Sequence, residues 1–143
     1  MLNLLSCFFQ VILSPDMHIL LNADLETGRH NETVDIHYSD SGGTSFSFVT
    51  RMSIPTVPRA PDSSLISVPE LAFSADGSKF AMAMARSRVS VWDIQSKVPL
   101  KTFTGVPHRS KYQDQSVRYL QFSSGKLGKE ALVFVEVHLM FTF

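Results

Sequence analysis

The feature that most restricts this chain is a two-residue alternation of apolar and polar side chains, in short runs broken by Ser, Asp, Gly or Pro. Alternation at that period sends successive side chains to opposite faces of an extended strand, and the breakers are turn formers. Helical spacing is weak throughout. Seven prolines and seven glycines recur along the chain, so no long helix survives. The expectation is an all-β protein.

The clearest stretch is 68–105. Leu71 and Phe73 share one side of a short strand, with Ala72 and Ser74 on the other. Ser74-Ala75-Asp76-Gly77 then reads as a hairpin turn. Asp76 can accept from backbone two residues on, and Gly77 can take positive φ at no steric cost. From Phe80 to Ala85 the large side chains Phe80, Met82 and Met84 alternate with alanines. Small residues on one face and large on the other suit a strand packed closely on both sides. A turn at Arg86-Ser87-Arg88, a strand at Val89–Ile94, a break at Gln95-Ser96-Lys97 and a strand near Leu100–Thr104 follow. That is four strands, up and down, in about forty residues, the content of one repeated β unit.

The same grammar recurs on both sides. Val117–Phe122 alternates like the strand before Ser74, Ser123-Ser124-Gly125 opens a longer turn through Lys129, and Ala131–Val137 is strongly β-prone. Upstream, Val11-Ile12-Leu13 runs into Ser14-Pro15-Asp16, and strands are expected at Met17–Ala23, Val34–Tyr38 and Phe46–Val49. Ser14, Ser74 and Ser123 therefore align as turn serines, 60 and 49 residues apart. The extra length lies in three loops, at 39–45, 55–64 and 107–113.

Glu70 to Phe103, ELAFSADGSKFAMAMARSRVSVWDIQSKVPLKTF, resembles a WD40 repeat. The resemblance rests on Leu71-Ala72-Phe73-Ser74, the Asp76-Gly77 turn, the apolar second strand and Val91-Trp92-Asp93-Ile94. Val117 to Glu136 resembles the first two strands of the next blade, and the wording VRYLQFSSGKLGKEALVFVEVH is similar to fungal WD40-like proteins that carry a domain of unknown function. The family implies a partial WD40-like β-propeller of about two and a half four-stranded antiparallel blades. Residues 1–54 would form a degenerate blade, 55–66 a Pro/Ser-rich linker, 67–105 the WD40-like blade, 106–116 a loop and 117–143 a partial blade. Ser74, Asp76, Gly77, Trp92 and Asp93 would be its structural motif. Two family features are missing. Ser67-Val68-Pro69 stands where a Gly-His is common, and Arg86-Ser87 where a turn Asp is common. Trp92 is then expected to pack as a hydrophobe. Propellers close with about 4–8 blades, so the chain is expected to be part of a longer protein or a truncated product. The rival is a ring completed by several copies.

Composition narrows the chemistry. Thirteen basic residues balance thirteen acidic ones, so there is no general positive field for nucleic acid. Cys7 is the single cysteine, which excludes an internal disulfide and a cysteine-rich zinc site. The apolar start, Met1–Leu13, is shorter than the ~20 residues a membrane helix needs and lacks a basic n-region, the first Lys or Arg being Arg29. No membrane partner is expected, and a cytoplasmic or nuclear address is the default.

Candidate reactive groups have structural readings. Asp16 and Asp76 are turn residues, and Asp93 closes the Trp-Asp strand. Ser41-Gly42-Gly43-Thr44 lacks the Lys of a phosphate loop. His18, His30, His37, His108 and His138 include no i, i+4 helical pair; His18, His37 and His138 fall in strand-like runs. No cofactor, metal site or catalytic residue is expected. Arg86, Arg88, His108, Arg109 and Lys111, with Tyr112 beside them, are the candidate partner-binding rim. The expected function is a protein–protein interaction scaffold. The alternatives are a propeller hydrolase and a truncated product with no function of its own.

Overall fold

The computed structural model describes residues 8–25, 32–54, 69–84, 88–104, 114–126 and 128–139. These residues form an all-β chain of ten strands with no helix. The chain divides into two compact units, Met1–Pro69 and Glu70–Phe143.

The first unit is a four-stranded antiparallel sheet whose strands pair in chain order. They are β1 (Phe8–Leu13), β2 (Ile19–Leu25), β3 (Glu32–Tyr38) and β4 (Ser47–Ile54). Leu21, Ala23, Val34, Ile36, Met52 and Ile54 are buried, and register places all six on one face. Each alternates with a residue of the opposite face, as period two requires.

The second unit repeats that plan and adds to it. A sheet of β5 (Glu70–Phe73), β6 (Lys79–Met84), β7 (Arg88–Asp93) and β8 (Pro99–Thr104) again pairs in chain order. A hairpin of β9 (Asp114–Phe122) and β10 (Leu132–Leu139) forms the third sheet. The hairpin packs face to face on the four-stranded sheet. Ala81, Ala83 and Val89 meet Val117, Leu120 and Phe122, flanked by Ala72, Val91, Phe103, Leu132 and Phe134. The alanines of the Phe80–Met84 alternation are what let the two layers approach. On the reverse face Phe80, Met82 and Trp92 are fully buried.

Three strand expectations are corrected. Met17 is not in a strand but in the turn before β2, at φ 64°. Arg88 is not in a turn but opens β7, opposite Met84 and Thr104. The strand expected at Phe46–Val49 runs from Ser47 to Ile54. The register between β3 and β4 shifts at Ile36/His37, which leaves Val49 as a bulged residue. One extra residue inverts the phase of the alternation, so Met52 and Ile54 fall out of step with Phe46 and Phe48. Ala85, the linker at 55–66 and residues 106–113 of the expected 106–116 loop lie outside the described residues, while 114–116 are not loop but the start of β9.

Candidate interaction surfaces

The three aligned serines make the same local structure. Ser74 donates its N–H to the Lys79 carbonyl at 2.9 Å, and its Oγ accepts from Lys79 N at 2.9 Å. Ser14 does this with Ile19, both bonds at 2.8 Å. Ser123 does it with Ala131, at 2.8 and 2.9 Å, across a longer loop. The serine hydroxyl takes the place of a backbone carbonyl as acceptor and closes the hairpin where the ladder would end. In the first two turns the serine Oγ also donates to an aspartate, Asp16 at 2.5 Å and Asp76 at 2.7 Å. Each carboxylate also accepts a backbone N–H two residues on, from His18 at 3.1 Å and Ser78 at 3.0 Å. These hydrogen bonds, the serine's foremost, hold both carboxyls below the usual range.

Equivalence extends across the sheets. The Ser39 N–H donates to the His18 carbonyl as the Ile94 N–H does to that of Ser78. The bulge at Val49 between β3 and β4 recurs at Leu100 between β7 and β8. Each bulged residue is an exposed aliphatic on an outer strand. Next to the bulge each sheet carries a cross-strand polar pair. Arg51 grips Asp35 with Nε–Oδ1 at 2.6 Å and Nη2–Oδ2 at 2.8 Å. Ser90 and Thr102 share a hydroxyl hydrogen bond of 2.8 Å. The Arg51 hydrogen bonds lower the Asp35 carboxyl.

Two cross-sheet rows then define corresponding faces. In β1–β4 they are Val11–Asn22–Asp35–Arg51 and Leu13–Leu20–His37–Phe48. In β5–β8 they are Leu71–Met82–Ser90–Thr102 and Phe73–Phe80–Trp92–Pro99. In the hairpin the first two strands of the same rows are Leu120–Phe134 and Phe122–Leu132. The face is covered in β5–β8, where Trp92 is 2% exposed and stacked on Phe80 at 5.3 Å. It is covered in the hairpin, where it meets Ala81 and Ala83. In β1–β4 it is open. Val11 is 46% exposed, Phe48 58%, and Leu13 also faces solvent. Asn22 Oδ1 is buried there without a hydrogen-bond partner.

The reverse face of the hairpin is the second open surface. Tyr119 pairs with Val135 and Gln121 with Val133. Val133 is 54% exposed, Val135 49%, and Tyr119 is exposed beside them. The Tyr119 hydroxyl donates to Gln121 Oε1. The counterparts of Val133 and Val135 in β5–β8, Ala81 and Ala83, are buried under the hairpin.

Of the residues singled out from sequence, Ser74, Asp76 and Gly77 meet in one turn, and Gly77 has φ 72°. Asp93 ends β7, where Oδ1 accepts from Gln95 N at 2.9 Å. Of the candidate rim, Arg88 is half-buried on the Trp92 face of its sheet, while Arg86, His108, Arg109 and Lys111 lie outside the described residues. His18 stands in the first turn rather than a strand, donating from Nδ1 to the Ser39 carbonyl at 2.6 Å and stacking on Tyr38. His37 meets Phe48 edge to face at 5.7 Å. Sequence reading missed both open faces. The run Leu132-Val133-Phe134-Val135 carried a signal, because a continuous apolar strand suits burial on both sides. Among the described residues no group of three or more His, Cys, Asp or Glu is placed to hold a metal, and no helix is long and apolar enough to cross a membrane. Compared with known proteins, the chain matches no family model and none of the curated proteins.

Proposed function

We propose that this chain is a protein–protein interaction scaffold, built as part of a WD40-like β-propeller and carrying no reaction of its own. One observation carries the reading. A single four-stranded unit, with its serine turn, bulge and cross-strand polar pair, recurs at equivalent positions in β1–β4 and β5–β8, and its first half recurs in β9–β10. Repeats of this kind stack layer on layer and present rigid faces. The two open faces carry exposed Val, Leu, Phe and Tyr side chains in contiguous rows, the composition of a docking surface rather than of a solvated one. The aspartates and serines that could serve chemistry are engaged in turn hydrogen bonds.

Site-specific photocrosslinking in the source cells tests this. A photoreactive side chain at position 48 or 135 is expected to give protein adducts that the same group at Lys126, in the exposed β9–β10 loop, does not. Equal adduct yields from all three positions, or none, would sink the scaffold reading.

A further inference from the structure

The repeat specifies what belongs on each open face. Within the second unit, the alanine face of β5–β8 (Ala72, Ala81, Ala83, Val89) seats the large-residue face of the hairpin (Leu120, Phe122, Leu132, Phe134). The hairpin's own reverse face holds the positions equivalent to that alanine face, as Gln121–Val133 and Tyr119–Val135. The open face of β1–β4 holds the positions equivalent to the large-residue face, as Val11–Asn22 and Leu13–Leu20. One molecule therefore carries both halves of a contact whose other instance lies inside its second unit.

We infer that the occupant of each open face is a second copy of this chain, the hairpin of one molecule seating on β1–β4 of the next. The inference rests on the scaffold reading and names its partner. The repeat supports it, since the contact continues a packing already used between β5–β8 and β9–β10, with Val133 and Val135 in the places of Ala81 and Ala83. The contact joins two different surfaces. It is therefore heterologous, and it extends head to tail until it closes or forms a chain.

Sedimentation equilibrium of the full chain over a wide concentration range reads this directly. The apparent mass is expected to climb through multiples of 16.0 kDa without halting at the dimer. Val133→Glu with Val135→Glu blocks one face, and Val11→Glu with Leu13→Glu blocks the other. Each doubly substituted chain alone is expected to associate at least about tenfold more weakly, since a charge must be desolvated in the contact. Mixing the two restores one intact pair of faces, and the mixture is expected to form a dimer and nothing larger. Far-UV circular dichroism and Trp92 emission confirm that each variant is folded. If a double variant misfolds, the single exchanges Val135→Lys and Phe48→Lys serve in its place. Three outcomes overturn the inference: a wild type that stays at monomer mass, variants that associate like the wild type, or a mixture that does not pair. A monomeric wild type that still gives position-specific adducts in cells removes the second copy and leaves the scaffold reading. A monomer with no such adducts removes both.

Discussion

Met17 and Gly77 occupy the same position of the same turn, each three residues after its serine, with φ of 64° and 72°. Their N–H groups donate to the Ser14 and Ser74 carbonyls at 2.9 and 3.0 Å. Glycine adopts that left-handed backbone freely, whereas a side chain with a Cβ costs about 1–2 kcal/mol there. Met17 is exposed and its Cε and Cβ lie against Gly43. Met17→Gly is therefore expected to raise stability, by about 0.5–1 kcal/mol after the loss of that contact and the added chain entropy. Gly77→Ala is expected to lower it by about 1 kcal/mol or more. Denaturant midpoints of the two variants against wild type check both signs.

The serine turns should differ in worth according to burial. Ser74 is fully buried and its Oγ bonds Lys79 N and Asp76. Ser74→Ala leaves a buried N–H without its acceptor and is expected to cost about 1–3 kcal/mol. Ser123 makes the corresponding bond to Ala131 in a more exposed turn, where water replaces the lost acceptor. Ser123→Ala is expected to cost under about 1 kcal/mol. A thermal melt in which Ser123→Ala is the more damaging change would contradict the equivalence in this form.

Acid should unfold the chain through particular carboxylates. Asp16, Asp35 and Asp76 all have lowered folded-state pKa values, caused first by hydrogen bonds from Ser14, Arg51 and Ser74 respectively. A depressed folded-state pKa stabilises at pH above the unfolded value near ~4. That stabilisation is lost as pH falls through the folded-state values. The melting temperature is expected to be flat from neutral pH to about 5 and to fall below about 4. Asp76→Asn is expected to lower the neutral plateau and to reduce the acid slope. An unchanged slope in that variant would exclude Asp76 from the acid response.

Trp92 is the single tryptophan of the chain. It is buried and stacked on Phe80 with an interplanar angle of 12°. Its emission is expected to be blue-shifted and poorly quenched by acrylamide, moving to the red on unfolding. Trp92→Ala is expected to cost about 3–5 kcal/mol, a large share of the ~5–15 kcal/mol typical of a domain. Emission at the wavelength of free tryptophan under native conditions would contradict the burial.

The layer contact in the second unit depends on small side chains. Ala81 is fully buried between β6 and the hairpin. Ala81→Leu is expected to cost about 1–3 kcal/mol by overpacking. Val133→Ala, on the open reverse face, should change the stability of the monomer by no more than about 0.5 kcal/mol. Urea titration of the two variants separates the closed face from the open one.

Sequence alone determined the strand class, the hairpin turns and their alignment, because those rest on local chemistry. The two-residue alternation that runs into a serine and then a turn former, Asp16, Asp76 or Gly125 two positions on, acts within five residues, which is why Ser14, Ser74 and Ser123 align. It also determined the exclusion of an internal disulfide, which needs only a count of cysteines. Tertiary structure decided the rest. The bulge at Val49 depends on the pairing of β3 with β4, and no local signal marks where the register shifts. Arg88 belongs to β7 because Met84 and Thr104 pair with it, although Arg86-Ser87-Arg88 reads as a turn. The open faces were decided at longest range. Val11 and Leu71 are both strand aliphatics at equivalent positions, yet one is exposed and the other buried. What differs is the burial of the face, which the local sequence of neither strand determines.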